Sequence, residues 1–136
     1  MPGADGGPST DGSVTKVSPR PVADTVARLV DLLDAKGLKV FAVIDQQAEA
    51  RAAGIDLRET TLVMFGNPAA GTSVMAAEPL AALDLPLKVL VWAEPGQHTF
   101  VSYTAPDALA VRYGLSPEAA APLAAVDGLT DALIEG

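Results

Sequence analysis

The stretch Thr60-Thr61-Leu62-Val63-Met64-Phe65-Gly66-Asn67-Pro68-Ala69-Ala70-Gly71-Thr72-Ser73-Val74-Met75 decides how the chain is read. It opens on a β-branched, aliphatic and aromatic run, the composition of a strand. It breaks at Gly66-Asn67-Pro68, passes a Gly71-Thr72 step and resumes as an apolar segment. Nowhere else does turn chemistry this specific sit directly on a core strand. The break reads as a rigid turn: Gly66 supplies an unusual φ, the Asn67 side chain braces the backbone, and Pro68 fixes the exit.

Upstream, Ser18-Pro19-Arg20-Pro21 introduces a helix, because the N–H that proline lacks has no partner in a first turn. Val22, Val26, Leu29, Val30 and Leu33 share one face of it. Burying five such aliphatics contributes roughly 10 kcal/mol gross, at about 2 each. Lys36 and Gly37 suit its last turn and its end. Residues 38–44 form a strand, and Asp45 caps a short Ala-rich helix over residues 46–53 that Gly54 ends. Residues 13–17 alternate weakly, with Val14 and Val17 apolar, as an edge strand. Residues 1–12 are Gly, Pro, Ser, Asp and little else, too apolar-poor to offset their ordering entropy, and read as a disordered tail before a single domain over 13–136.

Downstream, residues 73–82 are helical in part, with Pro79 limiting their length. Asp84-Leu85-Pro86 makes a turn, and residues 87–93 and 98–104 form a hairpin about Glu94-Pro95-Gly96-Gln97. Residues 107–113 give one or two helical turns closed by Gly114. Ser116-Pro117-Glu118 starts a helix whose inner face is Leu123, Val126, Leu129 and Leu133; Pro122 and Gly128 weaken it, so a bend or a two-part helix is expected. The order β-α-β-β-β-β-α predicts an α+β fold: one mostly antiparallel sheet of four to five strands, with two main helices on one face.

At 136 residues the chain holds one core, yet 49% of it is hydrophobic and its mean hydropathy is +0.30. Val63-Met64-Phe65 and Val89-Leu90-Val91-Trp92 are apolar on both alternating positions, whereas a strand wet on one side alternates with polar residues. The face opposite the helices therefore needs cover. The simplest cover is a second copy of the chain, packed sheet to sheet or edge to edge; the alternative is that residues 71–86 fold back over it. Every long apolar stretch is interrupted before it could span a membrane. A net charge of −8 is a poor match to phosphate backbones, so no nucleic-acid partner is expected. The absence of cysteine excludes disulfides, thiolate catalysis and sulfur-ligated metals. The first residues lack the basic and apolar regions of a secretory signal, and a cytoplasmic location is the expectation.

Phe65-Gly66-Asn67-Pro68, Gly71-Thr72, Met75, Asp84-Leu85-Pro86-Leu87, Tyr103 and Tyr113-Gly114 together resemble the DUF302 family of small bacterial and archaeal proteins. Gly37, Val40-Phe41 and Ile44-Asp45 before an Ala-rich turn fit the same pattern, so the resemblance runs from about Val14 to the C-terminus. It implies a β-α-β-β-β-β-α fold, dimers, and no established biochemical activity. In that family the residue after the Ile-Asp pair is often His; here it is Gln46, so a role for an imidazole there does not carry over.

Candidate ligand-binding residues are Asp45 and Gln46 at a strand-to-helix junction, with Gly66, Asn67, Pro68, Gly71 and Thr72. Gly66-x4-Gly71-Thr72 has the outline of a phosphate loop, but no Lys precedes Thr72 and Pro68 removes an N–H from the cradle. For Asp45 the structural reading is an N-cap. His98 is the sole histidine, beside a hairpin loop, and no second His or Cys supports a metal there; no cofactor is expected, and spacing gives His98 or Met75 no haem role. Ser73, Ser102 and His98 lack a nucleophile-elbow motif. Trp92, Tyr103 and Tyr113 read as packing residues, and Glu78 and Asp84 as solvated turn acids. The reading favoured by the sequence is a dimeric module that binds a small ligand or a partner without covalent catalysis. The alternatives are an enzyme using Asp45 or His98 as general base, and a purely structural protein with no cavity at the Gly66 loop.

Overall fold

The computed structural model describes residues 11–136. Strand β1 (Ser13–Ser18) leads into helix α1 (Val22–Ala35), strand β2 (Lys39–Asp45), helix α2 (Gln46–Ala52) and strand β3 (Glu59–Gly66). Helix α3 (Pro68–Ala77) and a 3-10 turn (Pro79–Asp84) follow, then strands β4 (Leu87–Ala93) and β5 (Thr99–Thr104). Helices α4 (Pro106–Tyr113), α5 (Pro117–Ala120) and α6 (Ala125–Leu133) complete the chain, with a 3-10 turn (Ala121–Ala124) before α6. The five strands form one sheet in the order β1-β5-β4-β3-β2, and every neighbouring pair is antiparallel. The α+β architecture expected from the sequence is the one observed.

The antiparallel ladder makes β1 and β2, at opposite edges, point the same way, so α1 crosses the whole sheet to join them. It packs on β2, β3 and β4, with α6 beside it. Between these helices and the sheet lies the main core: Leu29 and Leu33 of α1, Val63 and Phe65 of β3, Val89 and Val91 of β4, Val101 of β5, and Leu129 and Leu133 of α6. A smaller cluster joins Val74, Ala81, Leu109 and Leu123, with Leu85, Leu87, Tyr113 and Leu115 packed around it.

Thr25 is fully buried in α1 and holds Ser18 by a hydroxyl–hydroxyl bond of 2.7 Å. The helix therefore buries Val22, Thr25, Leu29 and Leu33, a narrower stripe than the aliphatic pattern predicts. In β1, Val14, Lys16 and Ser18 face inward while Val17 points away. Positions 14 and 17 are an odd number apart and cannot share a face of a strand. Of the tail expected over residues 1–12, residues 1–10 lie outside the described residues, and the Gly12 carbonyl accepts from Ala105 N at 2.8 Å.

Two local expectations need correcting. Gly66 is not in the left-handed region. Asn67 is the N-cap of α3 and Pro68 its first residue, so the break is a helix start rather than a free-standing turn. The final helix is in two parts, as expected, divided at the 3-10 turn that holds Pro122, while Gly128 sits within an unbroken α6.

Residues 71–86 pack on the helical side, through Val74, Ala81 and Leu85, and do not cover the far face of the sheet. That face carries Val17, Ile44, Leu62, Met64, Leu90, Trp92 and Phe100, all half-buried and none a member of either core cluster. Its polar atoms are already paired: Trp92 Nε1 donates to Ser102 Oγ at 3.0 Å, and Thr15 and Ser102 share a 2.8 Å hydroxyl bond. The Trp92 and Phe100 rings lie 4.9 Å apart between centroids.

Candidate functional site

Asn67 builds the site locally. Its Oδ1 accepts from the N–H groups of Ala69 (3.0 Å) and Ala70 (3.4 Å), and its carbonyl accepts from Gly71 N at 2.8 Å. Thr72 Oγ1 donates to the Pro68 carbonyl at 2.7 Å. The amides that a phosphate would need are thereby taken up inside the turn, and with Pro68 contributing none, the loop is not an anion cradle. What it forms instead is a wall. Ala70, Gly71, Val74 and Met75 of α3 face Phe65 and Gly66 of β3 across a cavity of about 480 Å³. Leu85, Pro86 and Leu87 close one side and Pro122, Leu123 and Ala125 another, while Leu38 and Phe41 border it from β2.

A β-bulge between Val40 and Ala42 sets Phe41 against this opening. Its ring comes to 3.9 Å from the place a Gly66 side chain would begin, yet Phe41 remains 45% exposed. Lys39, paired with Gly66 in the ladder, carries its ammonium 5.0 Å from the centroid of that ring. No acidic, basic or nucleophilic thiol group lines the cavity. Its volume falls within the ~300–1,000 Å³ usual for small-molecule sites.

Of the residues singled out in the sequence, Gly66, Asn67, Pro68, Gly71 and Thr72 border one cavity. Asp45 and Gln46 do not join them. Because β2 and β3 are antiparallel, Lys39 lies beside Gly66 and Asp45 beside Thr61. Over the seven residues of β2 that separation is about 20 Å at ~3.3 Å per residue. Asp45 is the N-cap of α2, accepting from Ala48 N at 2.9 Å. His98 is exposed beside the hairpin loop and away from the cavity. Neither proposed base reaches the pocket. Leu38, Phe41, Leu85, Pro86 and Leu123 also line the cavity, and being apolar they carry no chemical signal in the sequence beyond the Asp84-Leu85-Pro86 motif that holds two of them.

Two polar networks flank the core. Lys16, 7% exposed, donates to Thr130 Oγ1 (2.7 Å), Asp131 Oδ1 (2.8 Å) and the Asp127 carbonyl (3.2 Å). Burial alone would lower its pKa, but Asp131 and Tyr103 outweigh that and raise it above the ordinary lysine value. Tyr103 donates to Asp127 Oδ1 at 2.6 Å, and burial together with that bond raises its phenol pKa. Asp84, read from sequence as a solvated acid, instead accepts from the Tyr113 hydroxyl and from Arg112 at 2.8 Å. The Tyr113 bond and the Arg112 charge hold its carboxyl below the usual range against the effect of burial. Both networks tie late helices to earlier elements, Lys16 and Tyr103 fastening α6 to the sheet and Asp84 fastening α4 to the 3-10 turn.

A five-stranded antiparallel sheet, helices on one face and an apolar cavity at the end of the third strand define a small α+β domain. The family model described as "Domain of unknown function DUF302" matches residues 14–133, and the chain belongs to that family. An uncharacterized conserved DUF302 protein from Bacillus stearothermophilus has the same fold, with a TM-score of 0.76, 20% identity, and coverage of 90% of this chain and 95% of that one. The chain is also 36% identical over 104 residues to proteins named "Fluoride-specific ion channel FluC 1" from Brucella suis biovar 1 and "Fluoride-specific ion channel FluC 2" from Brucella melitensis biotype 1. Those matches cover 76% of this chain but 41% and 38% of the relatives, so the chain spans about two fifths of their length. Among the described residues no helix is long and apolar enough to cross a membrane.

Proposed function

We propose that this chain is a homodimeric module that holds a small ligand in the cavity behind the Gly66–Asn67–Pro68 break and performs no covalent chemistry on it. The observation that carries this reading is the lining. It is a preformed cavity of about 480 Å³ on whose walls, among the described residues, there is no general base, thiol or charged group, and whose one hydroxyl, Thr72 Oγ1, is spent on the Pro68 carbonyl. Acid–base catalysis needs a titratable group within hydrogen-bond reach of the bound molecule, and Asp45 and His98 are not among the residues that border this one. The dimer rests on the far sheet face, where aliphatic and aromatic side chains stand half-buried with their polar neighbours internally bonded.

The test is native mass spectrometry of protein purified from its own host, compared with Gly71→Leu. A side chain begun at Gly71 meets nothing within 4 Å, so leucine there has room to intrude on the cavity without a backbone clash. A small mass that is retained by the wild type and missing from the variant is the expected result. Equal retention, or none in either, would sink the ligand reading.

A second reading draws on the Brucella relatives. They join a segment like this one to additional sequence under a fluoride-channel name, which supports an accessory role beside such a channel. The uncharged lining and the internally bonded loop amides do not suit fluoride itself. Co-purification of a tagged copy with a fluoride channel from the same membrane extract would support the association; recovery of the two in separate fractions would count against it.

A further inference from the structure

The proposed binding cavity differs from a general small-molecule site in two respects that together specify its occupant. Its wall is hydrocarbon: Phe65, Val74, Met75, Leu85, Leu87 and Leu123 surround the interior. The two polar side chains on its border are engaged by α3 itself, Asn67 Oδ1 in the cap and Thr72 Oγ1 on the Pro68 carbonyl. A ligand rich in hydroxyls or amides would lose water there and gain few partners, a penalty of the kind that buried unpaired polar groups carry. Apolar walls of this kind favour hydrocarbon over water.

The mouth has a different character. Leu38 and Phe41 border the cavity on either side of Lys39, and Lys39 pairs with Gly66, which also borders it. The Lys39 ammonium rests over the Phe41 ring, a position that keeps a cation at the rim while its stem covers apolar surface. From this pairing of a hydrocarbon interior with the Lys39 ammonium stacked on the bordering Phe41 ring, we propose that the cavity takes the alkyl chain of a single-chain amphiphile whose anionic head group is held at Lys39. The proposal rests on the ligand-binding reading above and specifies the ligand's class.

Isothermal titration below the aggregation limit, with decanoate, decanol and butyrate as probes, tests it. Decanoate binds the wild type; decanol binds about three-fold more weakly, the increment of one exposed ion pair; butyrate, lacking the chain, is at least ten-fold weaker than decanoate. Lys39→Gln brings decanoate down to decanol and leaves decanol unchanged. Gly71→Leu abolishes both, while Gly71→Ala, which favours the helix and barely narrows the cavity, retains them and controls for folding. Butyrate matching decanoate, or decanoate binding that ignores Gly71→Leu, overturns the proposal. Should no probe bind while the host-purified protein still carries a Gly71-sensitive molecule, this inference fails and the ligand-binding reading stands. Absence of that molecule as well removes both.

Discussion

Leu90 is the residue on which the proposed dimer is most sharply tested. It lies on the central strand of the sheet, opposite Leu62 on one side and Ser102 on the other, on the face that carries no helix-side core residue. Leu90→Asp puts a carboxylate in the middle of that face. In a two-fold dimer the substitution appears twice. An uncompensated buried charge costs about 3–5 kcal/mol, so two of them cost at least ~6 kcal/mol. At 1.4 kcal/mol per tenfold this weakens association by about four orders of magnitude.

The same change is mild within one subunit. Leu90 is half-buried there, and its replacement costs about 1–2 kcal/mol of burial and strand preference. That amounts to a drop in Tm of several degrees for a domain of this size. Sedimentation equilibrium across a concentration series separates the two effects. Wild type is expected at twice 13.8 kDa and Leu90→Asp at 13.8 kDa, with matching far-UV circular dichroism and Leu90→Met behaving as wild type. A wild-type protein that stays at 13.8 kDa up to its solubility limit refutes the reasoning, as does a Leu90→Asp variant that dimerises with undiminished affinity.

Three further outcomes follow from single contacts. Gly12 has φ +84 and a Cβ built there would come to 3.0 Å from Ala108 Cβ, so Gly12→Ala is expected to lower stability by about 2 kcal/mol or more in urea unfolding, since left-handed backbone alone costs ~1–2 kcal/mol. Lys16 and Tyr103 both have raised pKa values relative to the ordinary 10.5 and 10.0, so the stability they contribute is present below those values and lost as pH rises through the folded ones. Thermal melts should therefore fall away above about pH 10, and Lys16→Met should flatten that limb; an unchanged alkaline profile in the variant would show that the network does not titrate with folding. Asp84 is the opposite case: its folded pKa lies below the ordinary 3.8, so its contribution holds above that value and disappears as pH falls through the folded one. Asp84→Asn should lower Tm at neutral pH and show a smaller further loss in acid than wild type does.

The fold was legible because its signals are local. Paired apolar strands, a helix opened by Pro19 and Pro21, and a hairpin turn at residues 94–97 each declare themselves within a dozen residues. Their order then leaves few ways to build a sheet. Lys16 was not legible for the converse reason. A lysine on an edge strand reads as solvated, and it becomes a buried group only because Thr130 and Asp131, over a hundred residues away, arrive above it. Thr25 escaped notice in the same way, its hydroxyl being satisfied by Ser18 from the preceding strand. Asn67-Pro68 carried the right chemistry for a different element, since an N-cap followed by proline opens a helix as readily as it fixes a turn.

The site divides along a line that topology alone could have drawn. Gly66 ends β3 and Asp45 ends β2, and these strands are neighbours in an antiparallel pair. The trailing ends of two such strands lie at opposite ends of the pair, whereas in a parallel pair they would converge, as they do in doubly wound folds where ligands sit at the strand ends. A pocket uniting Asp45 and Gln46 with the Gly66 break therefore conflicts with the antiparallel sheet that the same sequence predicts. Once the polar half is set aside, what borders Gly66 comes from four separated parts of the chain: residues 38–41, 65–75, 85–87 and 122–125. None of them holds a titratable side chain within the lining. A search of the sequence for acids, bases and nucleophiles passes over such a cavity, because its chemistry consists of hydrocarbon brought together by the fold.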